Sequence, residues 1–387
     1  MKIAIIWQRF GPYHLARLQG AAVYGAAYGS EVVGVEIARN DSDYDWDVDL
    51  SGGSFGRQTV FPNSSYEQIP RRELKQGLVD CLNALKPDAV AINGWGTPEA
   101  RCAIDWCRKQ SDVCAVLMSE TKEDDRPRLW WSELLKRRLV QRCDAALVGG
   151  RRQREYLVKL GFDGERVRIG YNVVDNGYFM SNVADVRRHA DTRRADLGLP
   201  EHFFFACTRF MQRKNIDGLL RAYERYRKTC RQDEPWGLVI AGSGSEEQNL
   251  RKLASDLDVA GVYWAGFLQY SDLPTYFGLA SAFVHPAKAE AWGLVINEAM
   301  SSGLPILSSN TVGAAHELVE EGENGVLFDP TSLEEMTRAL VAIASRSQDE
   351  LERMGQRSRD VVAHWTPERF GRELFSAATA AREAMGQ

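Results

Sequence analysis

The chain has 387 residues, of which 44% are apolar and 26% charged, and its formal net charge is −5. This composition predicts a globular protein of two domains and gives no reason to expect nucleic acid as a partner. No apolar run approaches the roughly 18 residues of a membrane-spanning helix. No signal peptide precedes the first predicted strand, and seven scattered cysteines form no Cys-x-x-Cys pair, so we expect reduced thiols and a cytoplasmic location.

The first half of the chain alternates short apolar runs with longer amphipathic stretches. The runs KIAIIW, EVVGVEI, DAVAI, CAVLM and DAALVG are typical of strands covered on both faces. Between them, YEQIPRRELKQGLVDCLNAL and WWSELLKRRLVQRC have helical patterns. Such alternation predicts βαβ units and a parallel sheet, so we predict an α/β, Rossmann-like domain over residues 1–180.

The alternation restarts in the second half of the chain. A polar, arginine-rich segment at 182–197 is interpreted as a linker. The runs FFFACT, GLVIA, VYWAG, AFVH and PILSS then predict a second Rossmann-like domain over 198–364. Open sheets of this kind bind ligands at the carboxyl ends of their strands, so two such domains facing each other predict a cleft. Thr366 and Pro367 are typical of the start of a final helix.

The region 126–168 is rich in arginine and lysine and contains the run LWW at 129–131. A helix with aromatic and basic faces is typical of a contact with a membrane surface. Tryptophans packed inside the protein beneath solvated arginines would give the same pattern. The sequence leaves both interpretations open, so peripheral contact with the inner face of a membrane is a hypothesis.

The most informative segment is AFVHPAKAEAWGLVINEAMSSGLPILSS. A strand at 282–285 leads into a loop, after which Gly293 opens a helix that is expected to end near Gly303. The backbone amides of Gly293, Leu294 and Val295 would be unsatisfied donors of its first turn. Together with the helix dipole they predict a binding site for phosphate.

Two carboxylates flank this predicted phosphate site. Glu290 lies at the tip of the loop, and Glu298 lies four positions after Leu294, on the same face of the helix. Carboxylates offer only acceptors, which suits the hydroxyls of a sugar and of a ribose. The spacing alone also occurs in solvated acidic helices, but the surrounding strand, glycine and apolar helix favour a binding site.

Other candidate residues follow strands of the second half. Arg209 and Lys214 come after its first strand, and two cations there suit a diphosphate whose charge grows as the bond to it breaks. Gly242 lies in a run of small residues that would let the backbone approach a ligand. Leu268 belongs to the turn GFL at 266–268.

The run EAWGLVINE at 290–298, followed by AM and then GLPI, resembles the donor signature of the family-four retaining glycosyltransferases. The resemblance implies the GT-B architecture, with the donor held by the second domain and a last helix, 365–387, that returns to the first. It implies that Arg209 and Lys214 neutralise the donor diphosphate and that the turn at Leu268 contacts the base. Trp292 would line the sugar site, and Gly11 would lie on a loop near the donor.

The acceptor side of the predicted site is less defined. Where several relatives carry a histidine that helps the transfer, this chain has Met118-Ser119-Glu120-Thr121. Glu120 and His14 are therefore alternative candidates for the base that receives the acceptor proton, and the sequence does not decide between them.

By this resemblance the chain is predicted to be a retaining hexosyltransferase. It would use a nucleoside diphosphate sugar, with UDP-glucose or a related UDP-sugar favoured, and a glycan or lipid-linked acceptor in polysaccharide assembly. The run 41–49 contains Asp-x-Asp triplets, but it is interpreted as a solvated acidic loop. Arg209 and Lys214 already supply the cations, so neither metal nor cofactor is expected. An epimerase acting on a UDP-sugar and a non-catalytic nucleotide-sugar binding protein are the alternatives.

Overall fold

The computed structural model describes residues 1–40, 53, 55–125, 128–230 and 234–386. The chain divides into two compact units. The first unit holds Met1–Asp175 together with Trp365–Gln387, and the second holds Asn176–His364. Within the described ranges, no helix is both long enough and apolar enough to cross a membrane.

The first unit alternates strands and helices along the chain. Its strands are β1 (Lys2–Trp7), β2 (Glu31–Asn40), β3 (Gly56–Ser65), β4 (Ala89–Asn93), β5 (Cys114–Ser119), β6 (Ala145–Val148) and β7 (Val167–Ile169). Between them lie the helices α1 (Pro12–Ala27), α2 (Arg71–Leu85), α3 (Pro98–Cys107), α4 (Trp130–Val140) and α5 (Arg151–Lys159). The strands form one parallel sheet in the order β3-β2-β1-β4-β5-β6-β7.

Strand β1 lies inside the sheet and is covered on both faces, which explains why its sequence is continuously apolar. Ala4 and Ile6 point into a core on one face of the sheet, whereas Ile3, Ile5 and Trp7 point into a second core on the other face. Side chains alternate between the faces of a strand, so a strand covered on both faces must be apolar at every position.

The second unit begins with two helices, α6 (Asn176–Arg188) and α7 (Ala190–Leu197). Its strands are β8 (Phe203–Cys207), β9 (Gly237–Ala241), β10 (Val262–Gly266), β11 (Ala282–His285), β12 (Ile306–Ser309) and β13 (Gly325–Phe328). Its other helices are α8 (Ile216–Thr229), α9 (Glu247–Asp256), α10 (Leu273–Leu279), α11 (Leu294–Ser301), α12 (Gly313–Leu318), α13 (Leu333–Ala344) and α14 (Gln348–Val362). The parallel sheet has the order β10-β9-β8-β11-β12-β13.

The last helix, α15 (Pro367–Met385), returns to the first unit and packs along α1. Phe370 and Leu374 are buried there in the same core as Leu18. The two helix backbones approach closely at a pair of glycines, because a Cβ at Gly371 would lie 2.6 Å from the carbonyl oxygen of Gly20. A larger residue at either position would force the helices apart.

The segment interpreted as a linker is helical. Residues 182–197 fall within α6 and α7, and both helices belong to the second unit, so the boundary lies at 175/176 rather than between 180 and 198. Phe179, Val183 and Val186 bury one face of α6, which packs against α10. The polar, arginine-rich composition reflects the other, solvated face of these helices.

Candidate active site

The candidate site lies where the strand order of the second sheet reverses. Strands β8 and β11 are neighbours. The strands that follow β8 lie on one side of this pair, and the strands that follow β11 lie on the other side. Open α/β sheets bind ligands at the carboxyl ends of the strands at such a switch point. Arg209 and Lys214 lie on the loop that leaves β8, and Glu290 lies on the loop that leaves β11. Predicted residues that are far apart in sequence thus lie on two loops that leave neighbouring strands at the switch point.

The loop after β8 is fixed by an unusual backbone position. Its tight turn at 212–214 ends at Asn215, which adopts the left-handed conformation with φ of 58°. Asparagine tolerates this region better than most residues. The buried side-chain amide of Asn215 donates to the carbonyl oxygens of Pro286, at 3.0 Å, and Pro330, at 2.9 Å. The turn that carries Lys214 is therefore tied to the loop that carries Glu290.

Glu290 lies at the centre of a charged group, here called the switch-point cluster, formed with Arg213, Lys214 and His285. The ammonium of Lys214 forms an ion pair with Oε2 of Glu290. Nη1 of Arg213 lies 3.7 Å from Oε1, and Nε2 of His285 lies 3.6 Å from Oε2. Burial by itself would raise the pKa of Glu290, but His285 and the charge of Lys214 outweigh it and hold the pKa well below its usual range. The carboxylate is therefore ionised at neutral pH.

His285 is the fourth member of the switch-point cluster and ends β11. Its ring is buried, and burial is the main cause that lowers its pKa, so the imidazole is neutral at neutral pH. Neither ring nitrogen has a hydrogen-bond partner within the described part of the chain. Buried polar groups are almost always hydrogen-bonded, so an unsatisfied imidazole beside Glu290 indicates a place for a ligand group. In the sequence, the His-Pro pair at the end of β11 is the signal that could have indicated this ligand site.

The first turn of α11 begins beside this cluster. Gly293 precedes the helix with φ of +98°, a conformation that favours glycine. The loop before it is held in place by two backbone hydrogen bonds, from Gly313 to the carbonyl of Glu290 at 3.2 Å and from Ala314 to the carbonyl of Trp292 at 3.0 Å. The amides of Leu294 and Val295 belong to the helix end that has no intrahelical acceptors.

Two other residues of the signature are buried inside the unit. Trp292 is 1% exposed, and its indole N–H donates to Oδ1 of Asn297 at 2.9 Å. This differs from the prediction that Trp292 lines the sugar site, because the ring supports the loop from within. Glu298 is also 1% exposed. It lies near Cys207, the last residue of β8, where burial and the charge of Glu298 raise the pKa of the Cys207 thiol to about 12.

The remaining candidates of the second unit lie farther along the same sheet edge. A Cβ at Gly242 would lie 1.9 Å from the carbonyl oxygen of Thr208, so the missing side chain makes room for the neighbouring loop rather than for a ligand. The amide of Gly242 donates to the carbonyl of Gly266 at 2.7 Å, which joins the ends of β9 and β10. Leu268 follows β10 and is partly buried, whereas Phe267 beside it is exposed.

In the first unit, Gly11 is the residue that caps the start of α1. Its backbone N–H donates to Nδ1 of His14 at 2.9 Å. Because Nδ1 accepts this hydrogen bond, the neutral ring carries its proton on Nε2. Burial and the charge of Arg17 lower the pKa of His14 to about 3. His14 can thus donate a hydrogen bond from Nε2, but it is poorly suited to receive the acceptor proton.

Glu120, the other candidate base, is partly buried after β5, close to an aromatic network that sequence reasoning missed. The hydroxyl of Tyr171 accepts from the indole of Trp7 and donates to Oδ1 of Asn93, each at 3.1 Å. The buried guanidinium of Arg17 lies 4.3 Å from the centre of the Tyr171 ring. These residues are distant in sequence, so no local pattern indicates the network.

We find no cluster of three or more histidine, cysteine, aspartate or glutamate side chains suited to a metal ion among the residues that the structure describes. The acidic run 41–49 lies outside those residues. The carboxylates that are described at the switch point are instead engaged with cations or buried within the unit.

Most of the second unit matches a known protein family. The sequence profile described as glycosyl transferases group 1 matches residues 190–361, which include the switch-point cluster and α11. The second unit belongs to the glycosyl transferases group 1 family. The chain is similar to an uncharacterized glycosyltransferase of Haemophilus influenzae, with 36% identity over 128 residues that make up 33% of this chain and 35% of that one.

A second relative of this group 1 domain is a GDP-mannose-dependent alpha-(1-6)-phosphatidylinositol monomannoside mannosyltransferase of Mycobacterium tuberculosis. It is 31% identical over 167 residues, 41% of this chain and 42% of the relative. The matched parts thus span less than half the length of both curated relatives. The structure of Anabaena HepE in complex with UDP covers 98% of this chain and 100% of its own, with a TM-score of 0.72 at 15% identity. This likeness confirms the predicted fold class, two Rossmann-like domains of the GT-B type.

Proposed function

We propose that the chain is a retaining hexosyltransferase that moves a sugar from a nucleoside diphosphate, with UDP favoured, to a glycan or lipid-linked acceptor. The observation that carries this proposal is the switch-point cluster. An ionised glutamate, a buried lysine and an unsatisfied histidine meet beside the open start of α11. The group 1 family of this domain supports a nucleotide sugar as the ligand.

In the proposed complex, the diphosphate of the donor lies at the start of α11. The amides of Leu294 and Val295 point to that end of the helix, and the helix dipole favours negative charge there. Arg209 and Lys214, on the neighbouring loop, would supply the positive charge. Charge-assisted hydrogen bonds to phosphate are about twice as strong as neutral ones, so this pair would provide much of the donor affinity.

Glu290 would have two tasks in this complex. Its low pKa keeps it ionised, so it offers only acceptors, which suits the hydroxyls of the donor sugar. It also holds the ammonium of Lys214 beside the place proposed for the diphosphate. His285 would contribute a neutral donor to the same sugar or phosphate group, which would satisfy a ring nitrogen that has no partner in the described residues.

Glu298 is proposed to accept from the ribose hydroxyls, although its burial also suits a structural role at the end of β8. The two roles are separable by experiment. Loss of a ribose contact raises the KM for the donor while the unfolding temperature stays constant. Loss of a structural contact lowers the unfolding temperature.

The transfer step follows from these charges and from the family resemblance. The bond between the anomeric carbon and the leaving phosphate oxygen breaks, and the acceptor oxygen bonds to the same face of that carbon. The acceptor proton passes to the departing phosphate. Arg209, Lys214 and the amides of α11 would stabilise the charge that grows on the diphosphate. Because cations of the chain fill this role, we propose that no metal is needed.

The experiment is a donor panel with purified protein, consisting of the UDP and GDP conjugates of glucose, N-acetylglucosamine and mannose. Released nucleotide is measured with and without glycan and lipid-linked acceptors, in the presence and absence of EDTA. Early products are followed by proton NMR for their anomeric configuration. We expect one donor to release its nucleotide with retention and without an effect of EDTA.

Other results of the same panel would overturn the proposal or correct the nucleotide in it. Conversion of the donor sugar into its epimer without nucleotide release would identify an epimerase. Binding without turnover under every condition would indicate a nucleotide-sugar binding protein. The name of the mycobacterial relative makes GDP the competing nucleotide. Turnover of only the GDP conjugates would correct the proposed nucleotide and leave the transfer mechanism in place.

A further inference from the structure

Helix α4 presents its apolar side to solvent. Trp130 is 76% exposed, and four more large apolar side chains next to it are each more than half exposed, namely Leu129, Trp131, Leu134 and Leu135. Val140 is the only fully buried residue of the helix. A helix on the surface of a globular protein normally turns its apolar stripe toward the core, so this arrangement is reversed.

The opposite face of α4 is polar and is anchored to α5. The carboxylate of Glu133 accepts from the hydroxyl of Tyr156 at 2.7 Å and pairs with Lys136 at 2.6 Å. The guanidinium of Arg128, just before the helix, lies 4.5 Å from the centre of the Tyr156 ring. Turning the tryptophans inward would break these contacts and bury the charged pair, so the outward orientation is built into the fold.

The charges around α4 divide into two groups. Four cations of this region are paired with carboxylates, in the pairs Arg128–Asp125, Lys136–Glu133, Arg152–Asp124 and Lys159–Glu123. Arg137 and Arg138, in the last turn of α4, are exposed and have no carboxylate partner within the residues described. The two free cations therefore lie next to the exposed apolar residues, and these seven residues, 129–131, 134, 135, 137 and 138, are called the α4 patch.

We propose that the α4 patch docks on an anionic lipid bilayer. Tryptophan beside arginine suits the boundary between acyl chains and headgroups, and unpaired arginines complement anionic headgroups. The helix has 11 residues and is about 16 Å long, well short of the roughly 30 Å of a bilayer core, so it would lie in the plane of the interface. This docking does not depend on sugar transfer, but it would bring the site to a lipid-linked acceptor.

The test is flotation of the full chain, without donor, on vesicles of phosphatidylcholine with and without phosphatidylglycerol. Two variants probe the patch, Trp130→Ser/Trp131→Ser and Arg137→Glu/Arg138→Glu. Matched controls are Tyr28→Ser, which replaces another exposed aromatic residue of the first unit, and Arg338→Glu/Arg346→Glu, which reverses two exposed arginines of the second. Unfolding temperatures verify that each variant folds.

We expect binding to the anionic vesicles that weakens with salt and falls about tenfold or more in both patch variants, with the controls unchanged. Three results would overturn the proposal: no binding to anionic vesicles at low salt, equal binding to neutral vesicles, or binding that the patch variants leave intact. Self-association lost in Trp130→Ser/Trp131→Ser would instead identify the patch as an interface between copies. Sugar transfer to a water-soluble acceptor is measured separately, and we expect both patch variants to retain this activity. Failure of docking can therefore be distinguished from failure of the proposed function.

Discussion

The starts of α1 and α11 offer a comparison between the two units. Both helices begin after a strand at the switch point of a parallel sheet, and a glycine precedes each of them. At α1 the amide of Gly11 is already satisfied by the imidazole of His14. At α11 the cap is Gly293, and no side chain makes a capping hydrogen bond at that helix end. One helix start is closed by a histidine of its own first turn, and the other has no side-chain cap.

The chemistry around the two helix starts differs in the same sense. The ring of His14 lies 4.8 Å from that of Trp7, and its low pKa makes it neutral. Beside α11, Lys214 and Glu290 form a charged pair in a largely buried corner. The two sheets share the order of their first six strands, yet one helix start carries an uncharged imidazole and the other a charged pair. The fold provides the position, and a few side chains decide whether it suits an anion.

The largest expected effect comes from Glu290→Ala, which removes the centre of the switch-point cluster. We expect kcat to fall by about 10²–10³, because the donor sugar loses an acceptor and Lys214, proposed to stabilise the charge that grows on the diphosphate, loses the partner that holds it. Steady-state kinetics with the donor found in the panel would measure the fall. The matched control is Glu323→Ala, an exposed glutamate of the same unit. Activity of Glu290→Ala near that of the control would place the chemistry elsewhere.

The next effect is expected from Lys214→Ala, compared with its neighbour Arg213→Ala. Lys214 is nearly buried and pairs directly with Glu290, whereas Arg213 is half exposed and 3.7 Å away. We expect the affinity for the nucleoside diphosphate to fall about tenfold or more in Lys214→Ala and much less in Arg213→Ala. Calorimetric titration gives both values. Equal losses would mean that general positive charge, and not the buried pair of Lys214 with Glu290, attracts the diphosphate.

A smaller effect is expected from Glu298→Gln, which keeps the shape of the side chain and removes its charge. If the ribose contact exists, the KM for the donor rises about tenfold while kcat changes less, because binding is lost equally in the ground and transition states. A drop in unfolding temperature with an unchanged KM would assign Glu298 to the support of β8 alone.

The smallest effect concerns the closed helix start and is a pH dependence of stability. The pKa of His14 falls from 6.5 to about 3 on folding, mainly through burial, so between these values the unfolded chain binds a proton that the folded chain does not. Stability contributed by His14 is therefore lost as the pH falls below about 6.5. In His14→Gln, the glutamine can still accept from Gly11 without titrating. We expect chemical denaturation to show a weaker loss in the variant between pH 6.5 and 4, and parallel curves would contradict the low pKa of His14 in the folded chain.

The sequence predicts the central strands well because they are covered on both faces and are continuously apolar. It misses β3, β7 and β13, which lie at the sheet edges and are short or half exposed. Edge strands need not bury both faces, so they lack the apolar run that reveals the others. The sequence of α6 and α7 is typical of a linker because their solvated faces dominate the composition.

For the site, the sequence identifies the charged residues but not all of their contacts. Local patterns of strand, loop and helix predict Glu290, Glu298 and the cations after β8 as site residues. The pairing of Lys214 with Glu290 joins loops 76 positions apart, and the unsatisfied state of His285 depends on its burial. The inward position of Trp292 is also a consequence of tertiary packing that no local pattern carries. The roles of these residues toward a donor remain predictions.

The most direct test of the central claim is a thermal-shift measurement of the wild type and Arg209→Ala with UDP, GDP, ADP and their sugar conjugates. A ligand that binds only the folded state stabilises it by about 2.7 kcal/mol at a hundredfold excess over its Kd. We predict that one nucleotide and its sugar raise the unfolding temperature of the wild type, and that Arg209→Ala loses the shift. No shift with any sugar nucleotide, or the same shift in both proteins, would contradict the assignment of the switch point of the second sheet as the donor site.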